Sequence, residues 1–544
     1  MAVTSERPRT DDRVASSVGL AETAGNAPSP ADHAAPRAIA WTISLALTAL
    51  AVWLRHTGLN PSSLFIDDAW VAVTHRLTWS ELPRVDFTTP GFSAITNGWL
   101  DLVGYSNLKI QLPVFAAAIV LPAATFVLLQ RRMKWYWAAV AATLLAISPI
   151  HIAYSVRVKQ YSMEALFALA LIAGASAVID APHERRRWTA LSLVSAFALV
   201  TSFSTIFVVV PACAGAVVGL GLSRRDAGSI RSMFAADEGA ALVRMTVLGI
   251  FAVAWFFSMI APSLSNELND FWADNYLPTG QGFRAFLSAW HELSVQTFEG
   301  FVTLPGSATA GLLAVAGLLL LSRRPALLIV LAGPYVALVV ASSLHMAPLG
   351  GLRTDIFIYP ALASLLAFGL HESEALVRTH WSLASPAIRF APLALTVAIT
   401  GVLAMQATPE QSAYPVEDLA PLLADLEERQ EDGDTVLLYY GASYHYAVYT
   451  DVPFDVVDRG LPFEVAFEQR NLVQMGNHRF EQERYRGYID EAAQRGDRVW
   501  FVVAHPWDGD IGTITNMIAD AGLRSTWDRQ REGASLTLLE PSAR

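Results

Sequence analysis

The chain has one cysteine in 544 residues, only three lysines, and charged side chains at 16% of positions. Each scarcity excludes something. With Cys213 alone no intrachain disulfide can form, so any segment outside the cell must be held by its own core. Cys213 itself lies in IFVVVPACAGAVVGL and reads as a small packed or lipid-facing residue. Soluble domains carry about a quarter charged residues. A chain with so little charge and 53% apolar residues cannot cover itself in water. No basic face accompanies the formal charge of −11, which excludes a nucleic-acid binder. There is no Walker loop, no GxGxxG and no HExxH, so the common phosphate loop, dinucleotide cradle and zinc-protease helix are missing. His505 with Asp508 and Asp510 lacks metal-ligand spacing and reads as a surface loop.

What is present is apolar length, and it predicts an integral membrane protein. Residues 1–37 are rich in Ala, Ser, Thr and Pro without an apolar period, and read as a disordered tail. The tail is too long and too acidic for a signal peptide, and the run after it ends at WLRH with no cleavage site, so it reads as a retained anchor. A span needs roughly 20 apolar residues. Eleven candidates begin near Ala38, Ile110, Trp135, Tyr161, Trp188, Thr205, Met245, Thr309, Ala326, Ile356 and Ile388. Short loops carrying Arg131, Arg132 and Lys134, then Arg185 to Arg187, then Arg224, Arg225, Arg231 and Arg244, then Arg323 and Arg324, all fall on the side of the tail. By the positive-inside bias that side is cytoplasmic. The expectation is a multi-pass protein of the cell membrane, with the N-terminus cytoplasmic and segments 57–108, 263–308 and 345–355 outside.

The net charge divides accordingly. From Pro409 onward there are 25 acidic and 12 basic side chains, a balance of −13, and the remaining 24 acidic and 26 basic give +2. The membrane region, 38–405, is near neutral, and the acidity belongs to residues 406–544. There VEDLAPLLADLEERQ has helical spacing, DTVLLYY and RVWFVVAHP read as strands, GTITNMIADAGL as a helix and ASLTLLEP as a closing strand. Strands alternating with helices predict a small α/β domain outside the cell. The stretch from Asp451 to Arg486 reads as irregular and as a segment that lies on the membrane region.

Ionisable residues near the hydrocarbon are costly and tend to be functional. In SLFIDDAWVAVTHRL, Asp67 and Asp68 follow the first span. A carboxylate there suits a general base; an N-cap of a short helix is the alternative. In SPIHIAYSVRVKQYSMEAL, Arg157, Lys159 and Tyr161 stand at the mouth of two helices, suited to a phosphate or to snorkelling toward lipid headgroups. HMAPLGGLRTDIFIYP brings His345, Arg353 and Asp355 to the outer end of the tenth span, with a plain Arg353–Asp355 pair as the alternative. The loop with Glu267, Asp270, Asp274, Arg284, His291, Glu292 and Glu299 has no specific pattern.

Four segments in order carry a resemblance. FIDDAW, TTPGFSAITNGWLDLVGYSNLKIQLP, ISPIHIAYSVRVKQYSMEAL and GGLRTDIFIYPALASLLAFGL are similar to elements of the GT-C superfamily. These are membrane glycosyltransferases using polyprenyl-phosphate sugars, such as protein O-mannosyltransferases and lipid A aminoarabinose transferases. The similarity spans roughly residues 40–370. Departures are Asp68 for a second acidic Glu, Thr89–Pro90 for a double proline, Gln111 before Leu112–Pro113, and Lys159–Gln160 where an arginine precedes the tyrosine.

The resemblance implies an α-helical polytopic GT-C-like fold that moves a sugar from a polyprenyl-phosphate donor to a hydroxyl of a glycan, lipid or protein acceptor, with inversion. Asp67 would deprotonate the acceptor, and Asp68 would orient it or help to bind a divalent metal ion. Arg157, Lys159, Tyr161 and Arg353 would hold the donor phosphate, with His345 and Asp355 in support. A transporter or flippase of lipid-linked sugars is the alternative, although the halves show no inverted repeat. An assembly subunit whose outer domain recruits a partner is a third reading.

Overall fold

The computed structural model describes residues 35–82, 85, 88–225, 236–260, 270–380, 386–457, 464–478, 481–507 and 509–542. The first 34 residues of the expected tail, Arg231, Glu267 and Asp508 lie outside the described residues. The membrane region comprises α1 (Arg37–Arg55), α2 (Ile66–Val73), α3 (Pro90–Val103), α4 (Asn107–Leu129), α5 (Trp135–Ile147), α6 (Pro149–Ala153), α7 (Tyr161–Asp180), α8 (Arg185–Thr201), α9 (Ile206–Arg225) and α10 (Ala236–Trp255). It continues with α11 (Phe283–Phe301), α12 (Gly306–Arg323), α13 (Pro325–Ser343), α14 (Tyr359–His380) and α15 (Pro386–Gln406).

Among the described residues seven helices are long and apolar enough to cross a membrane, namely Arg37–Gly58, Asn107–Leu129, Tyr161–Asp180, Ile206–Ser223, Gly306–Arg323, Pro325–Ser343 and Arg353–Arg378. Trp135–Ile147, Val243–Met259 and Leu393–Gln406 are shorter apolar helices. With Arg185–Thr201, headed by three arginines, they account for the eleven positions expected. The chain is a multi-pass membrane protein.

Close approach of these helices depends on small residues. Gly333 on α13 faces Pro211 on α9, where a Cβ would come within 2.4 Å of the proline ring. Helices α2, α3 and α11 belong to the connecting segments. Helix α3 starts on Thr89, whose hydroxyl accepts the Phe92 N–H, and Pro90 takes the first helical position, where its missing N–H costs nothing.

Charge collects at the two ends of the bundle. At one end, Lys134 and Arg378 pair with Glu374, and Arg323 and Arg324 pair with Glu372. Both acids sit in the C-terminal half of α14, while Arg353 opens the 3-10 turn, Arg353–Ile358, that leads into it. The 21 steps from Arg353 to Glu374, at about 1.5 Å each, span roughly 32 Å, so the two charged layers stand roughly a bilayer apart.

The C-terminal region contains α16 (Ala420–Arg429), β1 (Thr435–Leu438), α17 (Ser443–Tyr449), β2 (Phe454–Val457), β3 (Glu464–Phe467), β4 (Leu472–Gln474), α18 (Tyr485–Arg495), β5 (Val499–Ala504), α19 (Asp510–Asp520), β6 (Leu523–Arg531) and β7 (Ala534–Pro541). One sheet has the order β4-β1-β5-β7-β6, with β4, β1 and β5 parallel and β7 and β6 antiparallel. β5 is buried throughout. Trp500 and Val502 pack with Leu422 and Leu426 of α16 on one face, while Phe501 and Val503 pack with Ile489 of α18 and Ile514 of α19 on the other. Burial on both faces explains why VWFVVA is an unbroken apolar run.

Part of the stretch expected to be irregular is ordered. β2 and β3 form an antiparallel pair, and Val456 and Val465 join a cluster with Leu64, Ile66, Val71 and Phe92. The sheet is therefore fastened to α2 and α3. Arg76 strengthens the junction by donating to the carbonyls of Ala447, Thr450 and Val452.

Candidate functional site

Asp67 and Asp68 occupy the first turn of α2, but neither caps it. Phe65 is the capping residue and receives no side-chain hydrogen bond. Both carboxylates are almost fully buried, and they point to separate cations. Asp67 Oδ2 accepts from Arg353 Nη1 at 2.5 Å. Asp68 Oδ2 lies 3.3 Å from Arg157 Nη2, and Asp68 Oδ1 accepts the Val158 N–H at 2.8 Å. Adjacent acids thus link two segments that are about 200 residues apart in the chain. Burial pushes the Asp67 carboxyl up, but Arg353, Lys159 and Arg157 together outweigh it and hold Asp67 below the usual carboxylate range. At Asp68 burial prevails over Arg157, the charge on Asp67 adds to it, and the carboxyl is pushed up to about 6. Burial lowers the Lys159 ammonium to about 8, against the pull of Asp67.

The cations are held by aromatic rings. The Arg157 guanidinium lies 4.3 Å from the Phe65 ring and 3.9 Å from the Tyr414 ring, beside the point where these two rings meet edge-on at 5.0 Å. Lys159 stands 5.0 Å over Trp70, and Arg353 6.0 Å from Trp272. Stacking of this kind suits Arg and Lys in a desolvated place. Tyr161 lies within electrostatic reach of Arg353 and packs edge-on against Tyr154, whose ring neighbours Tyr414. Arg157, Lys159 and Arg353 outnumber the two acids they face, Asp67 and Asp68, which suits an anionic ligand.

Arg353 is aimed by the loop before it. Asp355 does not pair with Arg353; its Oδ2 accepts from the Gly350 and Gly351 amides at 3.1 and 2.8 Å and from the Thr297 hydroxyl at 3.1 Å. Gly351 has φ +70, and a Cβ there would lie 2.3 Å from the Gln296 carbonyl oxygen, so only glycine fits without displacing α11. Asp355 therefore supports Arg353 through the backbone. His345 is not brought to the site. It is exposed, takes φ 55, and stacks on Tyr276 at 4.9 Å.

Each acid faces a guanidinium, and among the described residues no group of three His, Cys, Asp or Glu side chains is placed to hold a metal.

Comparison with solved structures gives the same architecture in another protein. ArnT from Cupriavidus metallidurans in the apo state superposes with a TM-score of 0.51 at 14% identity, covering 93% of this chain and 98% of that one. The chain shares the fold of that structure. Two further solved structures align with lower scores. The archaeal oligosaccharyltransferase AglB from Archaeoglobus fulgidus, in complex with an inhibitory peptide and a dolichol-phosphate, gives 0.49 at 11% identity over 92% of this chain and 74% of that one. The arabinofuranosyltransferase AftD from Mycobacteria gives 0.48 at 13%, over 94% and 40%. No protein-family model and no curated protein sequence matches the chain.

Sequence reasoning missed the site's aromatic and C-terminal parts, namely Phe65, Tyr414, Trp272, Glu417, His445 and His505. Phe65 was within sight, being two residues before Asp67. Tyr414 and His505 sit in loops without period, where no sequence signal places them.

Proposed function

We propose that the chain transfers a sugar from a polyprenyl-phosphate donor to a hydroxyl acceptor on the outer face of the membrane, with inversion at the anomeric carbon. The observation that carries this reading is the convergence of Arg353, Arg157 and Lys159 on two buried acids at one end of the bundle. That end is the one opposite the arginine-rich layer, which the positive-inside bias assigns to the cytoplasm.

The ion pair between Arg353 and Asp67 supplies an order of events. A donor phosphate entering the surplus positive charge takes over Arg353, while Arg157 and Lys159 contribute the remaining charge. Asp67, relieved of its partner, becomes more basic and removes the acceptor's proton as the oxygen attacks the anomeric carbon. The leaving lipid phosphate keeps the bonding electrons, and the three cations stabilise its growing charge. Asp68 stays with Arg157 and the Val158 amide and holds the cationic loop against α2.

The test is release of lipid phosphate by purified, lipid-reconstituted protein offered undecaprenyl-phosphate-linked pentoses and hexoses together with a cell-envelope lipid and glycan extract. Asp67→Asn is expected to abolish release while accumulating normally in the membrane. Full activity of both Asp67→Asn and Asp68→Asn would sink the proposal. Because each acid already pairs with a guanidinium, treatment with EDTA is expected to leave the rate unchanged.

A further inference from the structure

The C-terminal sheet reaches the site at one point. In an open parallel sheet, ligands meet the carboxyl ends of strands whose connections depart in opposite directions. Here those strands are β1, which leads to β4 on one side, and β5, which leads toward β6 on the other. They approach closely, since a Cβ on Gly441 after β1 would lie 2.5 Å from the Ala504 carbonyl oxygen of β5. The next residue after β5 is His505, held at φ 50, a conformation that costs energy for any residue but glycine.

His505 is also held by its side chain. Its Nδ1 lies 2.8 Å from Glu417 Oε1. A carboxylate only accepts, so Nδ1 carries a proton, and in the neutral ring Nε2 is the nitrogen with the lone pair. The ring packs edge-on against Phe65 at 5.3 Å, within electrostatic reach of Asp67, and the side chain keeps 31% of its surface open. Glu417 is buried and fixed to the same loop. Its amide and His445 Nε2 both donate to the Leu64 carbonyl, and its Oε2 accepts no hydrogen bond. That oxygen leaves the carboxylate able to stabilise charge on the imidazole.

We propose that His505 is the outlet for the acceptor's proton. The proposal rests on the transferase reading. As the acceptor oxygen bonds to the anomeric carbon and the bond from that carbon to the phosphate oxygen breaks, the hydroxyl proton goes to Asp67. His505 Nε2 then takes it, Glu417 balances the imidazolium, and external water removes it at the open edge. Asp67 returns as a carboxylate to Arg353 once the lipid phosphate has left. The charged and titratable groups around His505 are Glu417 before α16, His445 on α17 and Asp67 on α2.

The test uses full-length reconstituted protein and release of undecaprenyl phosphate from whichever donor the wild type turns over. His505→Ala is expected to lower kcat by roughly 100-fold, a usual size for a lost proton-transfer group, with donor KM unchanged. Added imidazoles are expected to restore part of the rate, more strongly as their basicity rises. His505→Gln keeps a donor for Glu417 and the packing on Phe65 but takes no proton, and should fall as far as His505→Ala. Near-wild-type kcat in His505→Gln, or loss without imidazole rescue in His505→Ala, overturns the proposal while the transferase reading stands. A wild type that releases no lipid phosphate removes both.

Discussion

Asp67 and Asp68 differ by one position and by nearly everything around them. Asp67 is outnumbered by cations and stays ionised, whereas Asp68, pushed up to about 6, loses its charge as the pH falls through that value. Lys159, lowered to about 8, loses its positive charge as the pH rises through it. The ionised forms of both build the site, so kcat/KM is expected to fall on the acid side near 6 and on the alkaline side near 8. That quantity reports groups of the free protein. A pH series on Lys159→Arg should lose the alkaline limb, because a guanidinium stays charged.

Single elements decide where those side chains stand. The Gly350–Gly351 turn is anchored by Asp355 and pressed against the Gln296 carbonyl. Gly351→Ala is expected to lower the melting temperature, at a cost of about 1–3 kcal/mol, and to weaken lipid-phosphate binding through Arg353. Tyr414→Ala removes one of the two rings around Arg157. A cation–π contact of this kind is worth about 0.5–2 kcal/mol, so undecaprenyl phosphate should bind a few-fold to roughly 30-fold more weakly, read as fluorescence quenching, and Tyr414→Phe should bind as the wild type does.

The same scale separates what the sequence revealed from what it concealed. Apolar runs gave away the helices because each is a local pattern, and the strands VLL and VWFVVA were legible because they are buried on both faces. Asp67 and Asp68 were legible because charge beside a span is rare. The Asp355 role was hidden: an arginine two residues before an aspartate suggests a pair, and only the turn geometry sends one to Asp67 and the other to the glycine amides. Helices α3 and α11 were unread because their apolar faces pack within connecting segments and are too short a signal to stand out. The partnership of Tyr414 with Arg157 joins residues more than 250 positions apart and has no local trace.

At the scale of the molecule, the acidic C-terminal region is structurally continuous with the site. Val456 and Val465 pack in one cluster with Ile66 and Phe92, and Arg76 binds three carbonyls beyond Tyr446. A chain ending at residue 406 would expose that cluster and is expected to show no lipid-phosphate binding even where it still inserts into membranes.

The ring pair around Arg157 has a consequence for biosynthesis. Phe65 is made early and Tyr414 late, after every membrane helix. A growing chain that has already inserted its acids and its arginines still lacks the second ring against the Arg157 guanidinium. The site is complete only when the last segment arrives, so a chain halted before residue 414 carries the buried charges without that contact.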